Sequence, residues 1–189
     1  MEVIEETAVK LLLPNHVASQ VLAKVEKAEK LNEYGSKTNL VLYWGHREIM
    51  EATRLFDSLH PLPLPQLPSP MLRDYDWPGM YTPFQHQMDT AAYLSLRPRA
   101  FCFNEAGTGK TSAAIWAADY LMRLGLIKRV LVICPLSIMF SAWQADIFKT
   151  AMHRTAAVAH GDKSKRARII ESAYDFVIIN FDGVGVVRD

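Results

Sequence analysis

The sequence is poor in cysteine, carries almost no net charge and lacks a long hydrophobic run. Among its 189 residues only Cys102 and Cys134 are cysteines, and their wide separation favours reduced thiols over a disulfide or zinc framework. The net charge of +1 gives no overall basicity that would indicate nucleic-acid binding. No apolar run approaches the roughly 18 residues of a membrane span, and residues 1–6 are acidic where a signal peptide is basic. We therefore expect a globular cytoplasmic protein without a membrane-spanning segment.

Proline is concentrated in one segment, which predicts the domain organisation. Five of the ten prolines lie within residues 61–70. Proline fixes φ and removes a backbone donor, so this segment predicts an extended linker rather than a helix or a central strand. We place the linker at residues 61–76, after a small α/β module at 1–60 and before a larger domain at 77–189.

Short strands and helices alternate in the first module. Branched apolar runs predict its strands, and apolar residues at helical spacing predict its helices. The predicted elements are a strand at 7–13, a helix capped by Asn15 with Val17, Val21, Val25 and Ala28 on its inner face, a polar turn at 32–37, a strand at 40–44 and a helix at 47–59.

The larger domain alternates strictly between apolar strands and helices. Strands that are apolar on both faces, separated by helices, indicate a parallel sheet covered on both sides. The predicted strands are 100–103, 130–134, 156–159 and 176–179, and the predicted helices are 85–96, 110–124, 141–150 and 163–172. The fold class is therefore α/β.

Residues 104–111, with the sequence NEAGTGKT, have the pattern of a phosphate-binding loop between a strand and a helix. Gly107 and Gly109 let successive backbone N–H groups face a phosphate, and the helix that follows adds its positive N-terminal dipole. Lys110 supplies a positive charge for the β- and γ-phosphates, and the Thr111 hydroxyl suits a Mg²⁺ ligand. Asn104 departs from the strict pattern, which has glycine there. The predicted contacts to ATP in this segment are Glu105, Ala106, Gly107, Thr108, Gly109, Lys110, Thr111 and Ser112.

A phosphate loop alone does not identify a reaction, because kinases, GTPases, transporters and helicases share it. A small nucleotide kinase would bring lid arginines and a substrate cleft, and no such lid is evident here. The flanking segments therefore carry the functional prediction.

Four flanking segments resemble the motifs of a known family, in that family's order. They read YTPFQHQMDTAAYL from Tyr81, VLVICPLS from Val130, HGD from His160 and VIINFD from Val177. With the phosphate loop, they resemble the first half of a superfamily 2 helicase-like ATPase of the Swi/Snf type, including phage-encoded versions. The resemblance covers residues 77–189 and implies a partial RecA-like lobe, in the cytoplasm of a bacterial or phage-infected cell.

The resemblance implies roles for individual residues. Gln87 would read the adenine edge, because an amide offers a donor and an acceptor together, although Gln85 is an alternative; Phe84 would lie near the base. Lys110 and Thr111 would be catalytic, with ATP and Mg²⁺ as cofactors. The residues implied to contact nucleic acid are Pro135, Ser137 and Asn180, with double-stranded DNA as the partner.

One basic cluster stands out from the otherwise neutral composition. Lys163, Lys165, Arg166 and Arg168 fall within six residues. Either these side chains follow a nucleic-acid backbone, or they form an ordinary solvated helix face.

The sequence lacks the acidic pair that the family uses for hydrolysis. The sole candidate segment, residues 175–182, has Asn180 and Phe181 where Asp-Glu would stand. We therefore expect an N-terminal portion of a motor, truncated before the acidic motif, that binds ATP weakly and hydrolyses it negligibly. A missing C-terminal lobe would be a partner in trans. The alternatives are a non-catalytic decoy or regulatory module, or a fragment of a type III restriction-like motor.

Overall fold

The structure, a computed structural model, describes residues 1–188 and divides into two compact units. Unit 1 contains Met1–Tyr75 and Ala92–Ala100, and unit 2 contains Asp76–Ala91 and the residues from Phe101 onward. The predicted domain boundaries at 60 and 76 stay a prediction. In the structure the proline-rich segment packs within unit 1, where Leu67, Ser69 and Met71 are buried.

Unit 1 is a four-stranded antiparallel sheet with helices. Its strand order is β1-β2-β4-β3, and every neighbouring pair is antiparallel. Its elements are β1 (Glu2–Ile4), β2 (Ala8–Pro14), α1 (Asn15–Lys24), β3 (Ala28–Tyr34), β4 (Lys37–Tyr43), α2 (His46–Ser58) and α3 (Met71–Asp74).

The core of unit 1 follows from strict alternation in its two central strands. In β2 and β4, alternate apolar residues point to one face and are buried, as expected for a period of two. Val17 and Val21 of α1, together with Ile49 and Ala52 of α2, pack into the same cluster.

Three predictions in this module were wrong. Asn15 is the first residue of α1 and makes no capping bond; instead its Oδ1 accepts from the Thr38 hydroxyl at 2.9 Å and its Nδ2 donates to the Gly35 carbonyl at 3.0 Å. The helix ends at Lys24, so that Ala28 begins β3 instead of extending the helix face. The polar turn is shorter than predicted, because β3 continues to Tyr34 and pairs with β4.

Unit 2 is built around a parallel sheet of order β5-β7-β6. Its elements are α4 (Gln85–Ser95, with Ala92–Ser95 assigned to unit 1), α5 (Lys110–Arg123), β5 (Val130–Cys134), a 3₁₀ turn (Leu136–Ile138), a π-helical segment (Met139–Gln144), α6 (Ala145–Thr150), β6 (Ala156–Val158), α7 (Lys163–Glu171), β7 (Phe176–Asn180) and α8 (Phe181–Arg188).

Helices flank both faces of this sheet. Ile115 of α5 and Ile147 of α6 pack with one face, and apolar residues of α7 and α8 pack with Val177 and Ile179 on the other. All five residues of β7 are buried, as expected for the central strand of a covered sheet. The predicted α/β class with a parallel sheet is confirmed.

Three predictions for this unit need correction. Residues 100–103 do not form a strand: Phe101 and Phe103 are 82% and 88% exposed and stack on each other, with no described strand pairing them. Cover of the sheet is incomplete, because Leu131 and Ile133 of β5 are exposed. The predicted helix at 141–150 is α-helical only from Ala145, after the π-helical segment.

Within residues 1–188, no helix combines the length and the apolar character that crossing a membrane requires.

Candidate functional site

Residues 104–111, the predicted phosphate loop, curl through two glycines in the left-handed region. Gly107 has φ +79° and Gly109 has φ +78°, and α5 begins at Lys110. A Cβ on Gly109 would lie 2.1 Å from Nε2 of Gln87, so a side chain at position 109 would displace the Gln87 amide from the loop. No atom lies within 4 Å of where a Cβ of Gly107 would be, so the loop is open at that position. The two glycines therefore have the positive φ that a curled loop needs, the preceding segment is not a strand, and phosphate binding by the loop stays a prediction.

Lys110 folds back over this loop. Its Nζ donates to the carbonyls of Asn104 at 2.8 Å and Glu105 at 2.7 Å. The Thr108 hydroxyl donates to the same Glu105 carbonyl at 2.8 Å, which tightens the loop. The ammonium group is thus held at the loop's backbone, where predicted phosphate contacts converge.

Thr111 and Ser112 continue into the first turn of α5 and are half-buried. The Ser112 hydroxyl lies 3.2 Å from that of Thr150, which fastens α5 to the end of α6. No group of three or more His, Cys, Asp or Glu side chains within residues 1–188 is arranged to hold a metal ion. A magnesium ion that uses one hydroxyl and nucleotide phosphates needs no such group, so Thr111 fits that chemistry.

The structure distinguishes the two glutamines that the sequence left open. Oε1 of Gln87 accepts from the Phe84 amide at 3.0 Å, and its Nε2 donates to the Thr108 carbonyl at 3.3 Å. The Gln85 amide instead donates to Asp89 on the exposed side of α4. Of the two, Gln87 is therefore the one that touches the phosphate loop.

One further side chain, His86, contacts the loop, and Phe84 stacks on it. Phe84 is 68% exposed and stacks on His86 at a centroid distance of 5.7 Å. Nε2 of His86 lies 3.1 Å from the Thr108 carbonyl. Sequence reasoning missed His86, because an exposed histidine next to Gln87 carries no spacing signal of its own.

A cleft of about 400 Å³ adjoins this part of α4. It is lined by residues between Asp76 and Met88, including Trp77 and Pro83. Trp116 of α5 donates its indole N–H to the Pro78 carbonyl at 2.8 Å, which holds this segment against the helix that follows the phosphate loop.

The residues predicted to contact nucleic acid lie at the carboxyl ends of the parallel strands β5 and β7. Cys134 and Asn180 are paired in register, so Pro135–Ser137 and Phe181 leave the sheet at its carboxyl end. Pro135 and Ser137 are exposed. Asn180 is buried, with 7% of its surface exposed, and its Oδ1 accepts from Nη1 of Arg166 at 2.9 Å. Their predicted role in nucleic-acid binding stays a prediction.

Helix α5 carries a buried carboxylate that forms a network of charged contacts. Asp119 is fully buried and pairs with Arg123 at 3.0 Å, with His153 at 2.8 Å and with Arg154. Arg154 also pairs with Asp175, the residue just before β7. The contacts of Asp119 with His153 and Arg154 span 34 and 35 positions, which is why no local pattern in the sequence predicted them.

Ionisation at the amino end of β7 is also shaped by its neighbours. Partial burial acts to raise the pKa of Asp175, but the amide and hydroxyl of Thr155, each 2.8 Å away, and the charge of Arg154 hold the pKa below its ordinary value. At the carboxyl end of β5, burial raises the pKa of the Cys134 thiol, which keeps that thiol protonated and unreactive.

Comparisons with known proteins gave one kind of match. No family model and no curated protein matches the chain. Among the solved structures that match is the Sulfolobus solfataricus SWI2/SNF2 ATPase core in complex with dsDNA, with 24% sequence identity and a TM-score of 0.49. That match covers 56% of this chain and 23% of the other chain, and we infer no residue role from it.

Proposed function

We propose that unit 2 binds ATP with Mg²⁺ through residues 104–112. The observation that carries this proposal is the loop itself: two glycines with positive φ, a lysine whose ammonium group lies over the loop, and a helix that begins at that lysine. Backbone N–H groups of such a loop and the dipole of α5 both favour an anion there.

Each side chain has a distinct task in this proposal. Lys110 exchanges its bonds to the loop carbonyls for bonds to phosphate oxygens, and Thr111 provides the hydroxyl ligand of Mg²⁺. Magnesium, when bound, neutralises part of the charge on the phosphates. Gln87 touches the loop and lies next to the cleft lined by Met88, so we assign the base to that side, with Phe84 as an exposed aromatic neighbour.

We also propose that this nucleotide site belongs to a DNA-dependent ATPase, a helicase or translocase of the Swi/Snf type. Support comes from the motif order of residues 77–189 and from the exposed Pro135 and Ser137 at the carboxyl edge of the sheet. These 189 residues contain no Asp-Glu pair after an apolar strand, and arginine fingers alone are worth about 10³ to 10⁵ in rate. The chain by itself should therefore bind nucleotide without efficient turnover.

The decisive experiment measures Mg²⁺-dependent binding of a fluorescent ATP analogue. Lys110→Ala should weaken binding by at least about tenfold, because a hydrogen-bonded charge to phosphate is lost. Lys128→Ala removes an equal charge from an exposed loop position and should leave binding unchanged. Circular dichroism of each variant verifies the fold. Equal affinity for wild type and Lys110→Ala would contradict the assigned site and favour a pure interaction module.

A further inference from the structure

Arg166 of α7 has its guanidinium held at the carboxyl edge of the parallel sheet. Its Nε donates to the Gly161 carbonyl at 2.7 Å, and its Nη1 donates to the Ala159 carbonyl at 3.1 Å and to Oδ1 of Asn180 at 2.9 Å. Ala159 directly follows β6, and Asn180 ends β7. The position of this side chain is therefore set by the ends of two neighbouring strands.

Close packing by α8 fixes the same guanidinium from another side. A Cβ on Gly183, in the first turn of α8, would lie 2.2 Å from Nη1 of Arg166 and 2.7 Å from Oδ1 of Asn180. Both distances are shorter than any van der Waals contact, so only glycine permits this approach. A guanidinium fixed in this way is preorganised and loses little side-chain entropy when it binds a ligand.

Part of the donor capacity of Arg166 stays available. A guanidinium has five N–H donors, and the three bonds above use those of Nε and Nη1. Within residues 1–188, Nη2 makes no hydrogen bond and no carboxylate forms an ion pair with Arg166. Two N–H groups and an uncompensated positive charge thus remain on a side chain whose position is fixed.

The surroundings favour a polyanionic ligand. Helix α7 carries four cations and one acid, and Lys163, Lys165 and Arg168 are exposed. Ligands of open α/β sheets bind outside the carboxyl ends of the strands, which is where Arg166 lies. A guanidinium matches the geometry and the charge of phosphate oxygens.

We propose that Nη2 of Arg166 binds a phosphodiester group of duplex DNA. This inference rests on the proposed DNA partner and adds to it one contact whose position the sheet determines. Because the contact is to the backbone, it contributes to affinity whatever the base sequence, and it makes binding dependent on salt.

The test measures binding of a labelled DNA duplex by fluorescence anisotropy at a series of salt concentrations. Arg166→Ala should weaken binding about tenfold at low salt and lower the slope of log affinity against log salt by about one. Arg168→Ala removes an equal charge from the same helix and should change the slope clearly less. Arg166→Lys keeps the charge, but an ammonium group has three donors, which the three oxygens around Arg166 occupy. It should therefore lose affinity at low salt as Arg166→Ala does, but keep most of the salt slope because its charge remains.

Three results bear against the inference. If Arg166→Lys binds like wild type, or if Arg168→Ala lowers the slope as much as Arg166→Ala, charge alone explains binding and the assigned contact is wrong. If the wild-type chain does not bind duplex DNA, the inference fails together with the proposed partner, while nucleotide binding is judged by its own assay. Thermal unfolding accompanies each measurement, and if Arg166→Ala does not unfold cooperatively, Arg166→Lys decides by the same criterion.

Discussion

The two units differ in how the burial of apolar side chains varies along the strands of their sheets. In unit 1, one face of β2 and β4 is buried throughout, and the other face is polar or half-buried except at Leu12 and Tyr43, which are 49% and 45% exposed. In unit 2, β7 is buried throughout, but β5 exposes 56% of Leu131 and 44% of Ile133. A sheet with one solvated face needs alternation, whereas a covered sheet tolerates continuous apolar strands.

This difference shows that apolar content alone does not report burial. The sequence of β5, VLVIC, is as apolar as that of β7, FVIIN, yet only the central strand is covered. A cleft of about 250 Å³ lies along β5, lined by residues such as Ala114, Leu131 and Trp143. Position in the sheet, rather than residue type, decides which of these strands contributes fully to a core.

The same substitution in each unit tests this comparison most strongly. Leu42→Ala in β4 removes a fully buried side chain and should lower the free energy of unfolding by about 2 to 5 kcal/mol. Leu131→Ala in β5 removes an exposed one and should change it by less than about 0.5 kcal/mol. Urea denaturation measures both. Similar losses would mean that β5 is covered in solution and that the contrast between the sheets is wrong.

A second test concerns charge rather than apolar burial. Asp119→Asn keeps the shape of a fully buried side chain but leaves Arg123 and Arg154 without their shared carboxylate. Because these arginines keep some solvent access, the loss should be smaller than for a fully buried ion pair, roughly 2 kcal/mol in thermal or urea unfolding. Asp76→Asn, an exposed partner of the same Arg123, is the matched control and should cost little. Equal effects of the two variants would contradict a structural role for the buried network.

Acid should affect the two units at different pH. Burial lowers the pKa of His46 in unit 1 to about 4. Since an unfolded histidine has a pKa near 6.5, the unfolded state takes up the proton first, and unit 1 should lose about 1 kcal/mol between about pH 6.5 and 5.5. In unit 2, the lowered pKa of Asp175 gives stability that is present above about pH 4 and is lost only below it.

Proteolysis at each pH, with cleavage sites mapped by mass spectrometry, resolves the two units. His46→Gln has no titrating group at this position, so its unit 1 should lose less stability over the same interval. A wild-type chain whose unit 1 resists cleavage as well at pH 5.5 as at pH 7 would overturn this prediction.

Most regular elements could be predicted from the sequence because their periodicity is strong. The strand at 130–134 and the helices from Gln85 and from Lys110 lie where the pattern predicts, and the strand predicted at 176–179 extends one residue further, to Asn180. Strand β3 was missed because its sequence, AEKLNEY, is polar and lies on an exposed edge, where pairing with β4 rather than burial defines it. The opposite error occurred at 100–103, where apolar residues predict a strand but no described strand pairs them.

In the candidate site, features set by local sequence could be predicted, whereas contacts between distant residues could not. The glycine turn before α5 and the start of α5 could be predicted, because a few residue types at fixed spacing determine this backbone, whereas its phosphate binding stays a prediction. The contact of Gln87 with the loop, the bonds of Arg166 to two strand ends and the role of Gly183 in that packing could not, because each joins residues distant in sequence. Such contacts are set by the topology of the sheet and leave no periodic signal.

Because β5 lies at the edge of its sheet, its backbone amides alternate between pointing toward the neighbouring strand and pointing away from it. The Val130 amide donates to the Asp175 carbonyl beside β7, and successive N–H groups of a strand alternate in direction, so those of Val132 and Cys134 also point toward β7. The amides of Leu131 and Ile133 then point away from β7, at the two residues of this strand whose side chains are exposed. In deuterated solvent a single five-residue strand thus combines slowly and rapidly exchanging positions, one after another along the chain.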